Sequence, residues 1–460
     1  MGYLKENKTC LKLISKTWAK DTNALFDYYS KETSNFKSSL YDDMNIIRQG
    51  QEVKQGTIKE ENEENIEKLF SIKRQGENFF IENNVEINMD QSEKNIAKLN
   101  NKLFYVIHNR NKKMFLLNND VLKLGRIKYI ISEVSIYSGD KKYDLMIPNL
   151  DSVSNINKQN AKIGNPFNLV KEVKSLSDNE DYSGEKILCK ICYSEEIDPE
   201  NNPLVHLCKC KGGLNYAHFL CVKNWMQTQL QIKENFKKTV TNYYSPRFNC
   251  EICKTPLPFK FKLNKNNNKI FELIDIEKPN CNYIILESLE QIKENNENHK
   301  FIHVIKLINE NDITIGRSNF ADVKIHDISV SRMHAKLNFN FEQKCLQITD
   351  LKSKFGSLIL IKDKIELKCG ECLIAQVGRT LFGVNVVKKE EEKEKINEIK
   401  VNEAKEKNNI NEDEPKTNRE NNNEINANDN LENKYQNGEK QIIQNNNQND
   451  NDKNNDMEIY

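Results

Sequence analysis

The sequence predicts a multidomain chain. A small two-zinc cross-brace domain stands beside an all-β sandwich, with a partial N-terminal β module before them and a disordered tail behind. Three observations carry this. Seven of the twelve cysteines fall within the 65 residues 189–253. From Asn282 to Val387, β-branched and aromatic runs recur roughly every ten residues, the rhythm of a sandwich. Residues 388–460 hold 21 Asn in 73 positions and neither Phe nor Trp, too little apolar surface to offset the entropy of ordering.

Composition narrows the classes of function. The 460 residues are 37% hydrophobic and 30% charged, so no single core runs the whole length. Lys plus Arg number 69 against 68 Asp plus Glu, a net charge of +1 that provides no global field for nucleic acid or an anionic membrane. No apolar run approaches the ~20 residues that cross a bilayer. The opening MGYLKENKTCLKL lacks a charged-then-apolar signal layout, and Glu6 stands where a myristoylation signal needs Ser or Thr. The expectation is a soluble protein, cytoplasmic and/or nuclear, with reduced thiols that serve a metal rather than disulfides.

In chain order, residues 1–97 are unassigned and partly helical or disordered, with a helix suggested near 11–29 and a solvated charge run at KEENEENIEK. Residues 98–146 read as a small β module: LFYVIHN, KMFLL and VLKLGRIKYIISEV, with a turn at Asn118-Asn119-Asp120. Its stretch NNDVLKLGRIKYIISEV has the layout of CGECLIAQVGRTLFGVNVV at 369–387, a turn, a strand, Gly-Arg and another strand. Residues 147–186 are a linker, 187–257 the cysteine-rich domain, 258–278 a connector with two strands, 279–388 the sandwich and 389–460 the disordered tail.

The cysteine-rich block runs Cys189-x2-Cys192, Cys208-x-Cys210, His218-x2-Cys221 and Cys250-x2-Cys253. Four close pairs of soft ligands suit two tetrahedral zinc ions, because each pair reaches one ion from a single turn. In a cross-brace the pairs alternate. Cys189, Cys192, His218 and Cys221 then hold one ion, and Cys208, Cys210, Cys250 and Cys253 the other. All positions are filled by protein, so the zinc is structural and supplies folding energy on the order of 10 kcal/mol per site.

Ligand order alone fits both RING-CH and PHD domains. Trp225, four residues after Cys221, decides for the former, and a PHD finger would carry its Trp where Phe248 stands. The run NPLVHLCKCKGGLNYAHFLCVKNWM resembles the RING-CH (RING-variant) core. The resemblance implies a RING-type E3 ubiquitin ligase that docks a ubiquitin-charged conjugating enzyme and orients its thioester without a covalent step. By motif position docking falls to Ile191, Trp225 and the second loop at Pro256, with Lys254 where active RINGs often hold a cation. The 28-residue gap before Cys250 exceeds the family's usual length and suggests a longer helix or an inserted loop. No catalytic cysteine stands out, and Cys369-x2-Cys372 lacks a partner pair and reads as ordinary hairpin sequence.

ITIGRSNFADVKIHDISVSRMHAKL followed by LQITDLKSKFGSLIL resembles a forkhead-associated (FHA) domain. The resemblance implies a threonine-phosphorylated protein as partner. Arg317, Ser331 and Arg332 would grip the phosphate, Lys354 would lend a third charge, and His334 would brace the loops. Phe355 stands where the family often has the Asn that holds the peptide backbone. The pairing resembles soluble RING-CH/FHA ubiquitin ligases of protists. The alternative is a phosphothreonine-binding scaffold whose zinc domain only folds or binds protein.

Overall fold

The burial pattern of residues 9–18 has a period of two, and Thr9–Trp18 is a strand rather than the start of the helix suggested at 11–29. Leu11, Leu13, Ser15 and Thr17 point inward while Lys12, Ile14 and Lys16 point away, and both strand edges are paired. The computed structural model describes residues 9–20, 24–56, 66–83, 97–107, 114–138, 141–143, 145, 159, 170–174, 187–195, 198–245, 248–263, 269–294, 297–308 and 312–388. Most of the charge run KEENEENIEK and the whole expected tail at 389–460 lie outside these residues.

The first segment supplies β1 (Thr9–Trp18), β2 (Thr33–Leu40), β3 (Met44–Gln49), β4 (Glu52–Gly56), β5 (Ile66–Gln75), β6 (Asn78–Glu82), β7 (Leu103–Val106), β8 (Met114–Leu116), β9 (Val121–Leu124) and β10 (Ile127–Ser138). The middle supplies β11 (Lys141–Tyr143), β12 (Val170–Val173), β13 (Leu204–Val205), β14 (Ala217–His218), helix α1 (Phe219–Gln229), β15 (Gln231–Glu234), β16 (Val240–Ser245), β17 (Lys260–Leu263) and β18 (Ile270–Glu272). The last segment supplies β19 (Tyr283–Ser288), β20 (Ile292–Glu294), β21 (Glu297–Lys306), β22 (Ile313–Gly316), β23 (Val323–Lys324), β24 (Ala335–Asn340), β25 (Cys345–Asp350), β26 (Ser357–Leu360), β27 (Lys364–Leu367), β28 (Cys372–Val377) and β29 (Thr380–Lys388).

The first and last segments run the same strand sequence twice, and the copies exchange their closing strands. Within the first copy β1 pairs β2, β3 pairs β4 and β5, and β5 pairs β6; within the second, β19 pairs β21, β22 pairs β23 and β24, and β24 pairs β25. Closure then crosses over. β6 pairs β27 and β1 pairs β29, while β25 pairs β8 and β19 pairs β10. β7 and β26 pair with each other at the crossing, so one sheet runs through both sandwiches in the order β10-β9-β26-β7-β28-β29. The hairpins at 118–134 and 369–387, alike in sequence, occupy equivalent places in this arrangement. Of the strands of 98–146, β8 and the β9–β10 hairpin therefore close the C-terminal sandwich and β7 lies at the crossing, so they do not stand apart as a separate module.

The crossing is held by polar groups sealed from water. The buried Asn83 amide donates to the carbonyls of Leu103 and Ile361 and accepts from the Leu103 N–H. Lys362, on the three-residue passage from β26 to β27, lies 2.9 Å from Asp120 with both side chains 2% exposed. Asp120 also accepts the Leu117 N–H, which shapes the turn expected at Asn118-Asn119-Asp120. Apolar faces fill the rest, with Phe70 set edge-on to Phe382 at 4.9 Å across the first sandwich.

The 28-residue gap before Cys250 holds neither a longer helix nor a plain loop. After α1 ends at Gln229, β15 and β16 form a hairpin whose second strand adds to the edge of the sandwich sheet, Val240 opposite Ile305 through Ser245 opposite Lys300. Thr, Val and Tyr recur in VTNYYS as a strand needs, but the ligand spacing around it draws attention elsewhere. Part of the expected linker is ordered too, for β12 pairs in parallel with β17, and β17 pairs β18 around the expected turn.

Candidate metal centres and phosphate-facing loops

The two ligand sets form as the spacing implies. The ligand atoms of Cys189, Cys192, His218 and Cys221 lie within 4.8 Å of one another, and so do those of Cys208, Cys210, Cys250 and Cys253. Tight turns aim each pair: Cys189 Sγ accepts the backbone N–H of Ile191 and of His218, at 3.4 and 3.3 Å. His218, buried at the start of α1, presents Nδ1 to Cys192 Sγ at 3.2 Å and Cys221 Sγ at 3.8 Å. Each set offers four protein ligands, enough to fill the tetrahedral shell that zinc prefers, which would leave no coordination position for a substrate.

The thiol electrostatics favour a cation at both places. Burial, then contact with the neighbouring sulfurs, pushes Cys210 up to about 12, and burial with the Cys192 sulfur does the same to Cys221. Cys253 goes the other way, down to about 5, chiefly through its hydrogen bond with the Thr255 hydroxyl. Burial tends to raise Cys189 too, but the backbone N–H groups around it outweigh that and bring it to about 7. The three sulfurs of the first set and the four of the second ionise together far more readily with a cation between them. Lys190 is a further partner that sequence inspection missed. Its ammonium sits 3.3 Å from Cys208 Sγ and 3.9 Å from Cys250 Sγ, so a residue between the ligands of one set moderates the charge of the other. Burial opposes this ammonium, yet the Cys208, Cys250 and Cys210 sulfurs hold its pKa above the ordinary lysine value.

Beside the second set lies an apolar cleft of about 290 Å³. Ile191 and Trp225 both line it, together with Val205, Leu257 and Ile252. Ile191 is 42% exposed and Ile252 58%, whereas Trp225 is half-buried against the domain core. Ile252, two residues after Cys250, is the contributor that motif position does not single out. Lys254 and Pro256 are exposed on the second zinc loop but do not line this cleft.

In the C-terminal sandwich the loops after β22 and before β24 lie together. The Arg317 N–H donates to the Ser331 carbonyl and the Ser318 N–H to that of Arg332. A Cβ on Gly316 would stand 2.2 Å from the Arg332 carbonyl oxygen, so only glycine permits this approach. Arg317 and Arg332 are exposed, and neither guanidinium has a hydrogen-bond or ion-pair partner among the described residues. His334 is fully buried and braces the loops, accepting the Ser331 N–H at Nδ1 and meeting the Gly356 carbonyl with Nε2 at 3.0 Å. Ser331 Oγ accepts the Lys354 N–H, which leaves its own proton to donate outward.

The first segment supports these loops at two points. Arg126, in the β9–β10 turn, binds Asp327 through its guanidinium and Ser329 through its backbone N–H. Residues 24–30 pack on the loop before β26: the Tyr28 N–H donates to the Lys354 carbonyl, and the Tyr28 ring abuts Gly356. This explains Phe355. Its ring joins Trp18, Leu25 and Phe26 in a separate apolar cluster, so it anchors the N-terminal segment where the family often carries a peptide-gripping Asn. Lys354 is committed as well, 3.3 Å from the buried Asp27 carboxylate, and is not a free third cation.

At the matching end of the first sandwich the described residues show no exposed arginine pair like Arg317 and Arg332. Arg48 near the end of β3 is buried, paired with Glu67 and hydrogen-bonded to the Thr380 hydroxyl at 2.9 Å. A phosphothreonine peptide should therefore bind with a stoichiometry of one per chain by calorimetry. Two equivalents would show that the first sandwich also reads phosphate.

Residues 189–253 match the RING-variant domain family and residues 313–371 the FHA domain family. The chain is 33% identical over 104 residues to the E3 ubiquitin-protein ligase MARCHF7 of Pongo abelii, a match covering 23% of this chain and 13% of that protein. It is 33% identical over 72 residues to the ERAD-associated E3 ubiquitin-protein ligase DOA10 of Saccharomyces cerevisiae, covering 16% and 5%. A probable E3 ubiquitin-protein ligase of Homo sapiens, MARCHF10, matches at 33% over 101 residues, or 22% and 11%. The chain thus spans only a small part of these relatives. It carries a RING-variant domain and an FHA domain, and among the described residues no helix is long and apolar enough to cross a membrane.

Proposed function

We propose that this protein is a RING-type E3 ubiquitin ligase that docks a ubiquitin-charged conjugating enzyme on the cleft of Ile191, Trp225 and Ile252 and recruits threonine-phosphorylated proteins through Arg317, Ser331 and Arg332. The observation that carries the reading is the open apolar cleft beside two closed ligand sets, in one chain with two exposed arginines at a loop junction that have no partner among the described residues. Closed zinc sites exclude the metal from direct chemistry. The domain then contributes orientation: it holds the thioester so that a substrate lysine amine attacks the carbonyl and the conjugating enzyme's cysteine leaves as thiol. The similarity to named E3 ligases over the zinc domain supports the same reading.

Purified protein with both zinc sites filled, mixed with a panel of charged conjugating enzymes, should assemble ubiquitin chains. Ile191→Ala is the cleaner test of the cleft, because Trp225 also packs against the domain core. It should cut chain formation at least about tenfold, the loss of a contact worth ~1.4 kcal/mol or more, with zinc content unchanged. Arg317→Ala should leave chain formation intact and weaken binding of a phosphothreonine peptide about 10- to 100-fold, the loss of a charge-assisted hydrogen bond. Absence of chains with every panel member, from folded zinc-loaded protein, would favour the scaffold reading.

A further inference from the structure

We infer that the conjugating-enzyme cleft and the phosphothreonine loops belong to one rigid frame, so that acceptor lysines are selected by their distance from the phosphothreonine. This rests on the function proposed above and adds a geometric rule for substrates. A ligase with its two sites on a flexible tether reaches lysines over a broad range, because the tether samples many separations. Here three contacts replace the tether. The β15–β16 hairpin leaves the zinc domain directly after α1, and β16 lies in register with residues 300–305 of β21. Behind it, Tyr283, Ile285, Ile302 and Val304 from β19 and β21 share one apolar core with Met226 of α1, Phe248, Leu257 and the cysteines Cys189 and Cys250. The zinc domain and the outer sheet face therefore have no separate cores to slide apart.

The third contact reaches the phosphate-facing loops themselves. At the hairpin tip, Lys237 and Asn235 bind the Asp322 carboxylate at 3.0 and 3.3 Å. Asp322 is buried and also accepts the Thr314 N–H and hydroxyl, at 2.9 and 2.8 Å. It thus ties the tip to both ends of the loop that begins with Arg317. The Asn235 side chain is itself fixed, accepting the N–H groups of Thr239 and Val240. The separation between the cleft and Arg317 is then a property of the fold.

The test uses full-length, zinc-loaded protein and peptides carrying one phosphothreonine and one lysine, separated by proline-rich spacers that extend by about 3.1 Å per residue. Single-turnover ubiquitin transfer should peak at one spacing and fall at least about tenfold a few residues to either side. Transfer that depends on the phosphate but is flat across all spacings would overturn the rigid frame and leave the ligase reading standing. Transfer indifferent to the phosphate, or absent, would overturn both. A second measurement needs no activity. Non-cysteine spin labels at Leu220 on α1 and Glu342 in the β24–β25 turn should give a single narrow distance distribution, unchanged by phosphopeptide. A broad distribution would refute the frame directly.

Discussion

Cys208→Ser is expected to remove one of two zinc ions and loosen the part of residues 187–257 that the second ligand set holds. Structural zinc contributes on the order of 10 kcal/mol per site, comparable to the whole stability of a domain. The second ligand set draws Cys208 and Cys210 from one loop and Cys250 and Cys253 from another, so losing one thiolate frees both. It also leaves Lys190 beside sulfurs whose charge no longer holds it. Native mass spectrometry should show the bound zinc fall from two ions to one, with ubiquitin-chain formation lost. Hydrogen exchange should accelerate across the zinc domain and at residues 300–305, where β16 covers the edge of β21. The β1–β2 pair at the other end of that sheet should keep its protection. Retention of two zinc ions, or an unchanged exchange pattern with one, would show that the second set is not structural.

Lys362→Met is expected to destabilise the paired sandwiches by about 3–5 kcal/mol, the cost of leaving one member of a sealed ion pair alone. Asp120 is already held above the usual carboxylate range, because burial outweighs the attraction of Lys362. The pair is thus not a strong source of stability. Its removal as a unit should be tolerated: Asp120→Asn with Lys362→Met keeps the acceptor for the Leu117 N–H and should recover most of the loss. Chemical denaturation of the three variants reads the difference. If the single substitution proved as mild as the double, Lys362 would not be serving Asp120 at the crossing.

Placement of the pair suggests what it does. Asp120 precedes β9 from the first segment, and Lys362 lies on the passage that sends β27–β29 to the other sandwich. An ion pair there joins the two segments at the point where their closing hairpins cross.

Legibility in the sequence followed the range of the interactions. The eight zinc ligands and their alternation could be read because two thiolates a turn apart either converge on an ion or do not. Arg317, Ser331, Arg332 and His334 stand on neighbouring loops as their motif spacing suggests, because the strands that carry them are adjacent. Lys354 and Phe355 were harder. The sequence places both in the receptor loop, but Asp27 and the cluster of Trp18, Leu25 and Phe26, more than 300 residues earlier in the chain, engage them. The suggested helix at 11–29 fails for a related reason. TCLKLISKTW carries alternation that a short window does not separate from helical spacing, and pairing to both β2 and β29 selects the strand.

What the sequence by itself determined is chemistry held within short spans: two closed metal sites, two arginines on neighbouring loops, and a strand-rich body around them. The tertiary structure alone decided which hairpin closes which sandwich, and that the β15–β16 hairpin within the 28-residue gap welds the zinc domain to the sheet. The two hairpins, NNDVLKLGRIKYIISEV and CGECLIAQVGRTLFGVNVV, present the same turn, alternation and Gly-Arg, so either could complete either sheet by local rules. The choice lies in non-local terms that exist only once the chain has closed: the passage through residues 361–363, the Asn83 and Lys362 contacts, and the apolar faces that meet across the crossing.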